Sequence, residues 1–155
     1  MSDKIMDMGI VVDDGSVRVP VRNTFGEEIG VFCFRPTDVG IIDRYNRMVD
    51  RFEEVTEPLQ NVSLSDTGET SEEEAAALRE AKDRLYSLLN EMFGGNMAEA
   101  FFGTMHPFSP VDGSFYCEKA IKAVGGFIAK QFEEETERMN KRVAKYTGKY
   151  RKGDK

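Results

Sequence analysis

Carboxylates are the commonest chemistry-bearing groups in this chain, and among the adjacent ones are Glu53 with Glu54, Glu72 to Glu74, and Glu133 to Glu135. Paired carboxylates can divide acid and base work when their environments push the two pKa values apart. These sets fall on charged helical surface or at a helix N-terminus, where acids complement the helix dipole, so they read as a solvated face. His106 is the only histidine. On a loop beside Pro107 it can act as a general base, but it has no recognisable partner and reads as a turn or packing residue; one histidine cannot build a His-based metal site. Cys33 and Cys117 show no ligand spacing and sit inside predicted regular elements, which suggests two buried free thiols. Gly94-Gly95-Asn96 precedes a helix as an anion-binding loop would. It lacks the lysine of a phosphate loop and any G-x-G-x-x-G pattern, and it reads as a helix C-cap followed by an N-cap. No catalytic residue, metal ligand or cofactor is expected, and the chain is read as a binding protein rather than an enzyme.

The largest charge asymmetry lies at the C-terminus. Arg138, Lys141, Arg142, Lys145, Lys149, Arg151, Lys152 and Lys155 face the single acid Asp154, in a chain whose formal net charge is -7. Three readings of this tail stay open: a nucleic-acid contact with Tyr146 and Tyr150 stacking on bases, a solvated helix end complementing the dipole, or an arm that docks on an acidic protein. With a pI of about 4.9, a nucleic-acid role must work against the field of the whole chain.

The elements that carry these residues can be placed from periodicity. At 155 residues the chain has room for one domain. The alternation in "SVRVPVRNTFGEEIGVFCF" predicts a β-hairpin over 17–34, with Val17, Val19 and Val21 on one face, Gly26 in the turn and Pro20 at an edge. A further short strand is expected around Ile10 to Val12. After Pro36, Thr37 or Asp38 caps a helix over about 38–58 whose Ile41, Ile42, Tyr45, Met48, Val49, Phe52 and Val55 form one apolar face. Residues 60–73 read as an acidic surface linker, and Ser71 with Glu74 forms a capping box for a helix over 71–93. Asn96 caps a short helix over 96–102, "TMHPFSPVDG" is a compact connection, and a last helix runs over about 114–146. Gly125 and Gly126 within it suggest a close helix crossing, with a kink as the alternative, and Met48, Met92 and Met139 on helical stripes suggest core. The expected architecture is mainly α with a small N-terminal β-hairpin: a globular domain over 1–137 and a basic tail over 138–155. No basic leader or apolar span of about 18 to 20 residues is present, which points to a cytoplasmic chain with no membrane contact.

Taken together, "VPVRNTFGEEIGVFCFRPTDVGIIDRYN", the acidic break, "LYSLLNEMFGGNMAEAFFG" and "YCEKAIKAVGGFIAKQFEEETERMNKRVAKY" resemble the tail assembly chaperones encoded by long-tailed phages and prophages of Gram-positive bacteria. The resemblance covers most of residues 17–150 and is carried by architectural motifs without a chemical signature. It implies a small, mainly helical protein that coats the tape-measure protein, keeps it soluble and helps recruit tail-tube subunits, with self-association expected. Such a protein needs an apolar groove to cover exposed apolar stripes on its partner. The residues expected to form it are Ile121, Val124, Phe127, Ile128 and Phe132, with Phe101 and Phe102. Two rival readings remain: a phage-encoded adaptor or inhibitor that binds a host protein, and a nucleic-acid binder working through the basic tail.

Overall fold

Strand alternation organises the N-terminal half. The structure, a computed structural model, describes residues 6–59 and 72–153. Within them, β1 (Val17–Arg22) and β2 (Glu28–Phe34) form the expected antiparallel hairpin. Phe32 and Phe34 point inward with their rings stacked 3.9 Å apart, so the alternate residues Val31 and Cys33 must point out. Cys33 is therefore exposed, against the expectation of a buried thiol. Gly26 has φ +82° in the turn, and Asn23 organises it by accepting the N–H groups of Phe25 and Glu27 through its side-chain oxygen. The expected third strand is absent, and Ile10 and Val11 are almost fully exposed. Neither edge of the ribbon welcomes one: Pro20 has no N–H to offer, and Asn96 occupies the outer edge of β2.

Asn96 was expected to cap a helix, but its carboxamide behaves like one residue of a third strand. Its Oδ1 accepts the Cys33 N–H at 2.7 Å and its Nδ2 donates to the Val31 carbonyl at 3.0 Å. The cap for α4 (Met97–Phe101) comes instead from Asn90, whose Oδ1 accepts the Ala98 N–H at 2.9 Å. Asn96→Ala is expected to cost about 1 to 2 kcal/mol, two hydrogen bonds at a partly solvated edge. Urea titration reads the loss, and faster hydrogen exchange at Cys33 locates it.

The first predicted helix divides into α1 (Gly40–Val49), α2 (Phe52–Thr56) and a 3-10 turn over Glu57–Leu59. The break falls where the Arg51 N–H bonds to the Met48 carbonyl three residues back. Asp38 holds the start of α1: its carboxylate accepts the Gly40 N–H and pairs with Arg44 at 3.1 Å. Arg44 also donates to the Met92 carbonyl near the end of α3 (Glu72–Phe93), where a cation suits the helix dipole. The predicted linker lies outside the described residues apart from Glu72 and Glu73, and Ser71 of the predicted capping box lies outside them too.

Gly94, at φ +67°, ends α3 as expected, with the Gly94 and Gly95 N–H groups both bonded to the Asn90 carbonyl. The connection that follows contains a small ribbon, β3 (Pro110–Val111) with β4 (Ser114–Phe115), whose turn places Asp112 and Gly113 at positive φ. Its carbonyls at Pro107 and Ser109 receive the N–H groups of Cys117 and Tyr116, and Glu118 reaches back to the Phe115 N–H, so α5 starts at Tyr116. α5 continues to Gly153, so the basic tail is helix through that residue. Gly125 and Gly126 have no atom within 4 Å of where a Cβ would stand. Among the described residues no helix crosses there, contrary to expectation. The close approaches are at Gly30, where a Cβ would meet the backbone of Ala100, and at Gly95, where it would meet the Cys33 carbonyl and the Phe34 side chain.

The core lies between the inner face of the hairpin, α3, α4 and the first half of α5, with Leu85, Leu89, Met97 and Phe108 fully buried. No helix among the described residues is long and apolar enough to cross a membrane.

Candidate protein-binding surface

Apolar side chains on α1 span a wider arc than one neighbouring helix can cover. At about 100° per residue, Ile41 and Met48 lie nearly in line, while Ile42, Tyr45 and Val49 lie to one side of them. α3 packs on the first pair and buries it. The other three stay in water, at 53%, 40% and 47% exposure, and Val39 extends the patch toward the start of the helix. The spacing alone places Ile41, Ile42, Tyr45, Met48 and Val49 on one apolar face. The arc itself was visible in the spacing; its uncovered side depends on where α3 and α5 sit.

Beside this patch lies an open cleft of about 430 Å³ between α1, α3 and α5. Tyr45, Val49 and Phe52 form one wall, Ile121 and Gly125 the other, with Met92 lining it as well. Glu118 and Lys122 supply the charges. The glycine therefore widens a groove here instead of admitting a backbone. Exposed stripe and cleft are continuous through Tyr45 and Val49, which joins them into one apolar surface.

The seven residues expected to bind a partner do not share one surface. Phe102, Val124 and Ile128 are buried core. Phe101, Ile121, Phe127 and Phe132 are half-buried and packed against it. Phe101 and Phe127 line a smaller cleft of about 200 Å³ on the hairpin side, opposite Val19, Val21 and Phe34. Only Ile121 reaches the α1 cleft. Met139, expected in the core, is 58% exposed, on a part of α5 that no other described element covers.

Charged groups are segregated. A third cleft, about 730 Å³ between α2 and the outer face of α3, carries Glu54, Glu57, Asp83 and Glu91 against Arg51 and Arg84. Arg84 stitches its walls together, donating to the Glu54 carbonyl and pairing with Glu80 at 2.7 Å. In the tail, Arg138, Lys141, Arg142 and Lys145 are all exposed, and Arg138 pairs with Glu135. Lys149, Arg151 and Lys152 lie in the same helix, and their side chains are outside the described residues. No group of three or more metal-ligating side chains is brought together among the described residues.

His106 packs as a neutral imidazole. Nδ1 accepts the Phe108 N–H at 3.1 Å, and the buried Nε2 has no partner in good hydrogen-bond geometry among the described residues. Burial, then Lys82, push its pKa below the ordinary 6.5, against a weaker opposing pull from the Leu78 backbone. The unfolded chain therefore binds the proton more readily than the folded one. Stability is full above about pH 6.5 and is lost as pH falls through the lower folded-state pKa. A urea midpoint that falls between about pH 7.5 and pH 5.5, and a flatter profile for His106→Asn, are the expected results. Asp14 and Asp38, held below 3.8 by hydrogen bonds from Ser16 and from Gly40 and Arg44, contribute only at more acid pH. Burial pushes the Cys117 thiol up to about 12, so it is inert at neutral pH.

Compared with known proteins, the chain matches no protein-family model, and neither the curated proteins nor the solved structures contain a significant match to it.

Proposed function

We propose that this chain works by binding rather than catalysis, as a tail assembly chaperone that holds apolar helical segments of a tape-measure protein in solution during tail morphogenesis and helps recruit tail-tube subunits. The observation that carries this reading is the exposed Ile42–Tyr45–Val49 stripe opening into the α1–α3–α5 cleft. An amphipathic helix laid there covers its own apolar face and that of α1 together, the helix-in-groove mode of recognition. The resemblance of most of residues 17–150 to the chaperone family supplies the identity of the partner. Net negative charge supports the same reading, because a coat of acidic copies repels other coats and keeps the complex dispersed.

The test is coexpression with the tape-measure protein encoded in the same genome. The expected result is a soluble complex that elutes at a fixed ratio of the two chains. Insoluble tape-measure protein with none of this chain bound to it overturns the proposal.

A further inference from the structure

We propose that the N-terminal segment Met6–Val12 is a strap that closes over the exposed side of α1 within the same chain. The closed contact needs no partner; its consequence, competition with a partner helix for that face, rests on the chaperone reading.

The segment is a strand without a sheet. Among the described residues, Met6–Val12 belongs to no helix or strand, and no hydrogen bond reaches its backbone. Met6, Met8, Ile10 and Val12 alternate with Asp7, Gly9 and Val11, so an extended backbone gathers four apolar side chains on one side. In the structure they stand in water, and Ile10 and Val11 are 97% and 98% exposed. The ribbon of this chain has no place for them: Pro20 interrupts the free edge of β1, and Asn96 occupies that of β2.

The root of the segment lies at the start of α1. Asp13 and Asp14 turn the chain there by accepting the Gly15 and Ser16 N–H groups, each at 3.0 Å. Asp14 also pairs with Arg35 at 3.9 Å, and a Cβ on Gly15 would stand 3.5 Å from the Thr37 hydroxyl. Val39, where the exposed side of α1 begins, is close by in the chain. From Val12 to Met6 an extended backbone reaches about 20 Å. From Val39 to Val49 the helix rises about 15 Å. The strap is therefore long enough to run the whole length of the patch.

The chemistry matches along that path. Val39, Ile42, Tyr45 and Val49 offer apolar surface to the apolar side of the strap. Asp7 is the one charged residue of the strap, and Lys122 is the one cation among the described residues lining the cleft beside Val49. Glu118, the other charge there, already accepts the Phe115 N–H. A tether this short holds the two apolar surfaces at about millimolar effective concentration. Closing costs no translational freedom, so apolar burial is opposed chiefly by the ordering of the strap itself.

The test uses the full chain, with a nitroxide on Gly9→Cys in a Cys33→Ser background. Cys117 is buried with its thiol pushed up to about 12, so the label goes to one site. In NMR spectra the nitroxide should broaden the backbone amide signals of Ile42, Tyr45 and Val49 and leave those of Asp83 and Glu91, across α3, sharp. Ile10→Asp combined with Val12→Asp should cut the broadening at α1 at least about threefold, because closure would then bury unpaired carboxylates. Broadening that is absent from α1, or unchanged by the two aspartates, overturns the proposal. So does broadening at α1 when the nitroxide is carried only by unlabelled chains mixed with isotope-labelled ones, since the occupant is then a second copy. None of these outcomes touches the chaperone reading, which stands or falls on the coexpression result. Where both hold, the double aspartate variant should bind the tape-measure protein at least about twofold more tightly, because no closed population has to open first. Unchanged affinity would remove the competition.

Discussion

Replacing Gly95 with alanine is expected to cost about 3 kcal/mol of stability, the upper end for overpacking a close contact. A Cβ there collides with the Cys33 carbonyl and comes within 2.8 Å of the Phe34 Cβ. Relief requires β2 to move away from the start of α4. Asn96, the next residue, resists that by holding β2 just before the collision, at Val31 and at Cys33. The inward face of β2 is fixed as well, because Phe34 is stacked on Phe32 and lies against Phe127. Gly126→Ala is the contrasting variant. Nothing stands within 4 Å of its Cβ position and the backbone there is helical. It should therefore gain about 0.5 to 1 kcal/mol from helix propensity and from a less flexible unfolded chain. Urea denaturation of both variants beside the parent decides the matter. If Gly95→Ala lies within about 0.5 kcal/mol of the parent, the clamp between β2 and α4 is not the rigid joint described.

The two glycine pairs illustrate how much was legible before the fold was known. The helices, the hairpin and their order could be read because each rests on local periodicity: Ala81, Leu85, Leu88, Leu89 and Met92 recur at helical spacing, and Phe32 and Phe34 alternate with Val31 and Cys33. Gly125-Gly126 attracted attention because glycine is costly inside a helix, yet it stands at an open groove. Gly30 and Gly95 carry no comparable signal. Gly30 is needed because Ala100 approaches, and that partner lies far away in sequence. Asn96 was similarly misread: its position before a helix is typical of a cap, and only the fold brings β2 within reach of its amide. The turn at Asp112-Gly113 differs in kind, since a D-G pair between Val111 and Ser114 is a hairpin signal that the sequence does contain. For the candidate surface, the apolar composition of α1 was legible and its division into a buried and an exposed side was not. Periodicity states which residues share a face. It does not state how much of that face the neighbours will cover.

That division makes the surface testable apart from the core. Ile42→Asp together with Val49→Asp should leave the melting temperature close to that of the parent, because both side chains already stand in water and exposed substitutions usually change stability by about 0.5 kcal/mol or less. In a complex with the tape-measure protein the same aspartates have to be desolvated against an apolar helix with no cation supplied for them. The expected loss is at least about 2 kcal/mol of binding, roughly thirtyfold, which is enough to return the partner to the insoluble fraction on coexpression. Ile128→Ala provides the opposite pattern: it removes a buried side chain, costs about 2 kcal/mol or more of stability, and reduces binding only as far as it reduces the folded population. Measuring a melt and a solubility ratio for each variant separates the two effects. A double aspartate variant that melts like the parent and still keeps the tape-measure protein soluble removes the α1 surface from the proposal.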